Sequence, residues 1–463
     1  MSAPNDNTFL TQSLGVTYLK TALPIIFVMA VNGALAVADA LFLGHYVGPQ
    51  ALAAVTLMFP LYMVMIALST LVASGMSSRL ARHLGAGDIY TAQSDFVGAH
   101  GLAITLGLGL IVLYVLLGQP TALLLSAGDT ELADLGLIYL RITVLASPLM
   151  FVLSVNFDAL RNEGRVGFMA LMGVLVTLAN IGFNYLLIAR FDMGVAGSAY
   201  GTILAQLLSF SIVLAFRLRG KTHLRPQTLF EHRLTSSWGR ILALGAPQSL
   251  TFVGVALGSA VVIAALQLVD SPRYADTVSA YGIFTRVMTF CFMPLLGLSH
   301  AMQTITGNNY GAKAWARSNG SLKIAVVVSL VYCGMVQLVL TVFAQEVGAA
   351  FVDDPAVISE VVRVMPIAVS LFILAGPTMM VAGYFQAIGD AGRAALLGLS
   401  KPFLFAIPLT FLLALTIGEM GIWLAGPIAE ILVLGLLTLV LSHNARGGVF
   451  HYGVFHSTAE GQS

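Results

Sequence analysis

The sequence predicts an all-α polytopic membrane protein in which twelve transmembrane helices form two six-helix lobes related by a parallel repeat. Three observations predict it. Of 463 residues, 58% are hydrophobic and only 9% are charged, which leaves too few polar side chains to cover a surface facing water. Apolar runs long enough to cross about 30 Å of hydrocarbon recur from one end of the chain to the other. Four short matches, in the same order, tie the second half to the first at an offset of 223 to 228 residues.

One span with its loop consumes roughly 35 to 40 residues, so the chain holds about twelve. Gly, Pro or charge ends each apolar run. Spans one to six are expected at 16–46, 50–80, 93–118, 131–160, 165–190 and 194–217, and spans seven to twelve at 241–269, 277–304, 321–349, 357–388, 393–417 and 421–443. These define an N-terminal lobe over 1–216, a linker over 217–240, a C-terminal lobe over 241–445 and a tail over 446–463.

Lys and Arg in short loops resist translocation, whereas acids hardly matter. Loops after even-numbered spans carry Arg79 and Arg82, Arg161 and Arg165, then the run from Arg217 to Arg240, then Lys313, Arg317 and Lys323, and Arg393 with Lys401. Loops after odd-numbered spans offer only Arg190 and Arg273, beside acids such as Asp129, Asp134, Glu346 and Asp354. Both termini are therefore expected to be cytoplasmic. The start lacks the positive n-region and cleavage site of a secretory signal, so span one is expected to remain in place. Cys291 and Cys333 fall inside apolar runs and are read as packing thiols.

In the repeat, Pro24 matches Pro247, Gly85-Ala86 matches Gly311-Ala312, "FDALRNEGR" matches "FQAIGDAGR", and Met193-Gly194 matches Met420-Gly421. Six is even, so the halves enter the membrane in the same direction. Parallel pairs of this kind usually enclose a cavity and rock about it, which favours a transporter.

The stretches "VADALFLGHYVGPQALAAV", "GAGDIYTA", "NNYGAKAWAR", "LANIGFNYLLIARFDMGVAGSAYGT" and "AYGIFTRVMTFCFMPLLGLSHAMQTITGNNYGAK" resemble the multidrug and toxic compound extrusion (MATE) transporters, in particular the bacterial branch of the DNA-damage-inducible type. The resemblance covers essentially the whole chain. It implies a multi-pass protein of the bacterial inner membrane with V-shaped lobes, exchanging a proton or Na⁺ for an outgoing, mostly cationic and amphipathic drug. It places the acid of span one at Asp39, a helix-bending proline at Pro24, and polar positions of the N-lobe cavity at Asn32, Asn180 and Thr202. Asn184 stands where many relatives carry a second acid, which favours the proton over Na⁺. Spans seven and ten lack the acids of other branches.

Read as chemistry, Asp39 is a carboxylate in a hydrocarbon run. Such a group escapes its solvation cost by protonation, which makes it a proton carrier, and the bland alternative is a hydrogen bond between helices. Asn180 and Asn184 are one helical turn apart and, with Thr202, either orient Asp39 and offer neutral oxygens to an ion or simply stitch helices together. Asn32, Asn156, Gln206, Arg286 and Glu430 are the expected lining of the substrate cavity. Glu430 and Arg286 lie deep in spans twelve and eight, and an ion pair between them, structural or coupling, is the simplest account of both. Arg141 and Arg363 are expected to reach the headgroups, the latter with Glu360. His300 is read as a satisfied core imidazole, and the cluster Asp158, Arg161, Glu163 and Arg165 as a solvated face.

The alternative function is a flippase for lipid-linked oligosaccharide or polyprenol, for which several cavity arginines are expected. A membrane enzyme and an ATP-driven pump lack their residues: there is no H-E-x-x-H and no P-loop. No cofactor is expected, and a net charge of +1 points to no nucleic acid. The partners expected are small-molecule drugs and the lipid bilayer, and the protein is expected to be a monomer.

Overall fold

The computed structural model describes residues 7–126, 128–220, 222–269, 273–446 and 450–456; within these, the side chains of 34–41, 44, 49 and 450 lie outside the described residues. Ten described helices are long and apolar enough to cross a membrane, and two bent helix pairs bring the number of spans to twelve. Span one is Leu14–Phe42, continued by a π-helical turn Leu43–Val47. Spans two and three are Pro49–Gly85 and Ile89–Leu125. Span four is the pair Thr130–Leu145 and Ser147–Asn162. Span five is Val166–Asn184 with the π-helical turn Tyr185–Arg190, and span six is Gly194–Leu218. Spans seven, eight and nine are Trp238–Leu268, Tyr274–Gly311 and Trp315–Val342. Span ten pairs Pro355–Ala368 with Phe372–Ile388, span eleven runs Ala391–Ile417 through a π-helical stretch Ser400–Ala406, and span twelve is Glu419–Ala445.

The repeat is written into the helix ends. Asp129 and Asp354, 225 residues apart, each cap a helix by accepting backbone N–H bonds, from Glu131 and Leu132 in one case and from Ala356 in the other. Both helices so started are the bent ones, and each bends by 49° at its break. Gly85 and Gly311 end spans two and eight, with Ala86 and Ala312 as the capping residues.

Contacts divide the chain into two compact units, Met1–Thr11 with Leu19–Ser249, and Gln12–Tyr18 with Leu250–Ser463. Spans one and seven thus each begin in the unit that does not hold the rest of them. In the first unit Met58, Met76, Phe96, Phe151 and Leu80 are fully buried or nearly so. Lipid is as apolar as leucine, so close packing rather than flight from water holds these helices together. Glycine makes that packing possible at the start of span seven: a Cβ on Gly245 would lie 1.8 Å from the Leu71 carbonyl oxygen, and one on Gly75 would lie 2.0 Å from that of Ile241. Trp238 donates its indole N–H to the Gly98 carbonyl at 2.9 Å, tying the end of the linker to span three. The second unit buries Ala265, Leu266, Ile422 and Trp423 together. Large apolar side chains such as Val115, Leu116, Leu415 and Leu439 point outward, as a lipid-facing surface requires. Past span twelve, residues 450–451 pair with 455–456, and Asn319 exchanges two hydrogen bonds with the His456 backbone.

Two sequence expectations change here. Lys401, counted with the basic loop residues although it falls within the expected span 393–417, stands inside span eleven, because the apolar run continues on both sides of it. The cluster Asp158, Arg161 and Glu163 is not a solvated face: these side chains expose 15%, 5% and 3% of their surface. Only Arg165 of that group is exposed.

Gly245→Ala forces a methyl group into a backbone carbonyl and is expected to cost about 1–3 kcal/mol. Gly258, in the same helix, has nothing within 4 Å of the place a Cβ would take, so Gly258→Ala is expected to be neutral or to gain up to about 1 kcal/mol. Thermal unfolding of the detergent-purified variants checks both.

Candidate functional site

The polar residues of spans one, five and six gather in the first unit. Asn180 and Asn184, four residues apart on span five, are fully buried. Asn184 donates its amide to the Asn180 Oδ1 at 3.1 Å, Asn180 donates to the Thr202 Oγ1 at 2.8 Å, and Thr202 donates to the Ser198 carbonyl at 3.2 Å. The chain of donors crosses from span five to span six. It forms because span six presents small residues: a Cβ on Gly201 would sit 2.0 Å from the Asn184 Oδ1, so only glycine leaves room for that amide. Asn184 is also the last α-helical residue before the π-helical turn of span five, a local widening often found at functional positions.

Span one joins through Thr177, three residues before Asn180, whose hydroxyl donates to the Asn32 Oδ1 at 3.3 Å. Val28 fills the notch left by Gly173, where a Cβ would lie 2.7 Å from it, so the two helices touch closely at this level. Asn32 remains exposed, and Gln206, one turn beyond Thr202, is half-buried. Pro24 lies inside the helix of span one, one turn before Val28. Asp39 belongs to the same helix two turns beyond Asn32, but its side chain lies outside the described residues. Sequence reasoning missed Thr177; its signal was its position one turn from Asn180.

Asn156 is not a cavity residue. It is 3% exposed and belongs to a network at the end of the first unit where the basic loops cluster. Its Oδ1 accepts from Arg217 Nε at 2.8 Å, and its amide meets His100 Nε2 at 3.0 Å. Arg217 donates in turn to Glu163 at 3.0 Å and to the Leu224 carbonyl at 2.8 Å, and its guanidinium lies 4.9 Å from the centre of the Phe96 ring. Burial raises the Glu163 carboxyl above its usual range, while Arg217 and the Leu224 N–H pull it back. The network fastens the linker to spans three, four and six.

In the second unit the expected pair of Arg286 with Glu430 does not form. Glu430, 5% exposed at its side chain, pairs with Lys401 of span eleven. Arg286 is exposed and has no ion-pair partner among the described residues. The reason is geometric: spans eleven and twelve pack along their lengths, and Lys401 and Glu430 both lie near their middles. Towards the acidic end, Glu360 is buried between Arg273 at 3.1 Å, Thr277 and Arg363, and Arg363 also bonds Glu419. The expected partnership of Arg363 with Glu360 is present, as one part of this larger group. His300 is buried in span eight.

The family model described as MatE matches residues 24–186 and 247–412. The FAD transporter of Shewanella oneidensis is 26% identical over 438 residues, 92% of this chain and 93% of that protein. The multidrug export protein MepA of Staphylococcus aureus is 22% identical over 84% of this chain and 85% of its own length. A crystal structure of a MATE protein in the straight conformation superposes with a TM-score of 0.82 over 92% of this chain and 95% of that one, at 22% identity.

Removing one partner of the buried Arg217–Glu163 pair strands the other charge. Arg217→Leu is expected to lower stability by about 3–5 kcal/mol, and Arg217→Leu with Glu163→Leu to recover most of the loss. Thermal unfolding of the two proteins in one detergent decides it.

Proposed function

The chain belongs to the MATE family and is a multi-pass membrane transporter rather than an enzyme, and from that premise we propose that it is a secondary active exporter of amphipathic, mostly cationic drugs driven by inward proton flow. The observation that carries the reading is the buried chain Asn184–Asn180–Thr202, with Thr177 and Asn32 beside it. A set of neutral amides and hydroxyls in the middle of a membrane unit is costly to bury and suits a site that changes charge only when an ion arrives. In this reading Asp39, on the helix that carries Asn32, is the group that gains and loses the proton. The neutral Asn184 withholds a second carboxylate, which favours the proton over Na⁺ as the coupling ion.

Pro24 is assigned as the hinge of span one, with Asn32 and Gln206 on the drug path. The lobes 1–216 and 241–445, joined by the linker 217–240, are assigned as the two bodies that rock. The basic loops support an inner-membrane protein, acting as a monomer, with both termini in the cytoplasm. A second reading, export of an anionic nucleotide cofactor, is favoured by the full-length similarity to the Shewanella oneidensis FAD transporter.

Uptake into everted vesicles tests both the site and the ion. Under an imposed pH gradient, wild-type protein is expected to move ethidium, Asp39→Asn to have lost this, and a Na⁺ gradient alone to drive nothing. Fully active Asp39→Asn would sink the assignment. Gly201→Ala, which displaces Asn184, disturbs hydrogen bonds worth about 1–3 kcal/mol and is expected to slow efflux by about ten to a hundredfold. Gly182, on span five with nothing within 4 Å of the place a Cβ would take, is expected to tolerate alanine.

A further inference from the structure

The middle of the second unit holds one ion pair whose two ends differ. Lys401 lies three residues from residue 404, the centre of the span Ala391–Ile417, and Glu430 lies two residues from residue 432, the centre of Glu419–Ala445. Both charges therefore sit at the depth where hydrocarbon is most hostile to them. Glu430 is 5% exposed at its side chain, yet Lys401 is 41% exposed. A cation at this depth is cheaper to hold against water than against lipid, by several kcal/mol.

A purely structural ion pair reaches its best energy when every remaining lone pair is satisfied. Here the second oxygen of Glu430 is buried with no hydrogen-bond partner among the described residues. Lys401 also lies in a π-helical stretch, Ser400–Ala406, which Pro402 interrupts by removing a backbone N–H. The surrounding helices supply little competing charge. Arg363, Glu360 and Glu419 are bonded to one another at the acidic end, and Arg393 is bonded to Asp390 at the other. Among the described residues, the thiol of Cys333 lies within electrostatic reach of both partners.

We propose that Lys401 is the contact for a phosphate-class anion on the transported molecule, with Glu430 orienting the ammonium and holding its affinity down. An ammonium has three donors. One is committed to Glu430, which leaves two for a ligand. The pair is neutral as a whole, so an anion is held weakly and released readily, as transport demands. The inference rests on the exporter reading and deepens it, by adding a negatively charged group to the molecules that the second unit accepts.

The test compares FMN with riboflavin, the same ring system with and without a phosphate, by fluorescence titration of purified protein. Wild type is expected to prefer FMN, Lys401→Met to lose that preference by about tenfold or more, and Lys401→Arg to keep it. Glu430→Gln is expected to tighten FMN binding severalfold and leave riboflavin unchanged, an outcome that a stabilising ion pair does not produce. The neutral double variant Lys401→Met with Glu430→Gln keeps the site testable if a single change unfolds the protein; it is expected to bind both flavins alike. Equal wild-type affinities, or FMN binding weakened in Glu430→Gln, overturn the proposal. Repeating the titration in nanodiscs separates two sources of the anion: loss of FMN preference on adding phosphatidylglycerol assigns the contact to a lipid phosphate, and an unchanged preference assigns it to a dissolved ligand. A protein that exports ethidium but does not discriminate FMN sinks this site alone, and one that discriminates FMN but exports nothing sinks the exporter reading alone.

Discussion

Hydrocarbon offers no hydrogen bonds, so every polar side chain inside a span must find its partner in the protein or face water. That constraint sorts the polar residues of this chain into a few groups. Asn184, Asn180, Thr202 and Ser198 satisfy one another in series between two helices. Arg217, Glu163, Asn156 and His100 form a closed network at one end of the first unit, and Arg273, Glu360, Arg363 and Glu419 form another at the acidic end of the second. The end networks contain strong opposite charges locked together, which is a way to fasten helices. The groups further inside the spans are neutral amides in one unit and a partly exposed ion pair in the other.

The two units share a frame and differ in chemistry. Asp129 and Asp354 start equivalent helices, which break and bend by the same 49°. Two short apolar helices set at an angle use up length without a loop in the lipid, and an aspartate cap supplies acceptors where the first turn has none. On this common scaffold the first unit places amides on span five, and the second places Lys401 and Glu430 on spans eleven and twelve. The duplicated backbone thus leaves the two middles free to carry different charge.

Close approach between helices is what makes each polar contact possible. Gly201 leaves space for the Asn184 amide, Gly173 receives Val28 next to the Asn32–Thr177 bond, and Gly75 with Gly245 lets spans two and seven meet backbone to backbone. Any side chain at these positions would hold the helices apart by more than a hydrogen bond can span.

The sequence by itself determined the membrane class, the twelve spans, the internal repeat and the family, because these follow from local hydropathy, from basic loops and from residues matched along the chain. It also brought Asn180 and Asn184 to one face, since four residues make one helical turn. The tertiary structure alone decided which partner each buried charge takes. Glu430 meets Lys401 and not Arg286, because partner choice depends on which helices lie side by side, and hydropathy along a single helix carries no record of its neighbours. Asn156 went the same way: an amide in an apolar run reads alike whether it lines a cavity or anchors Arg217. Lys401 counts with the basic loop residues although the expected span 393–417 runs across it, and only the fold brings a buried carboxylate within its reach.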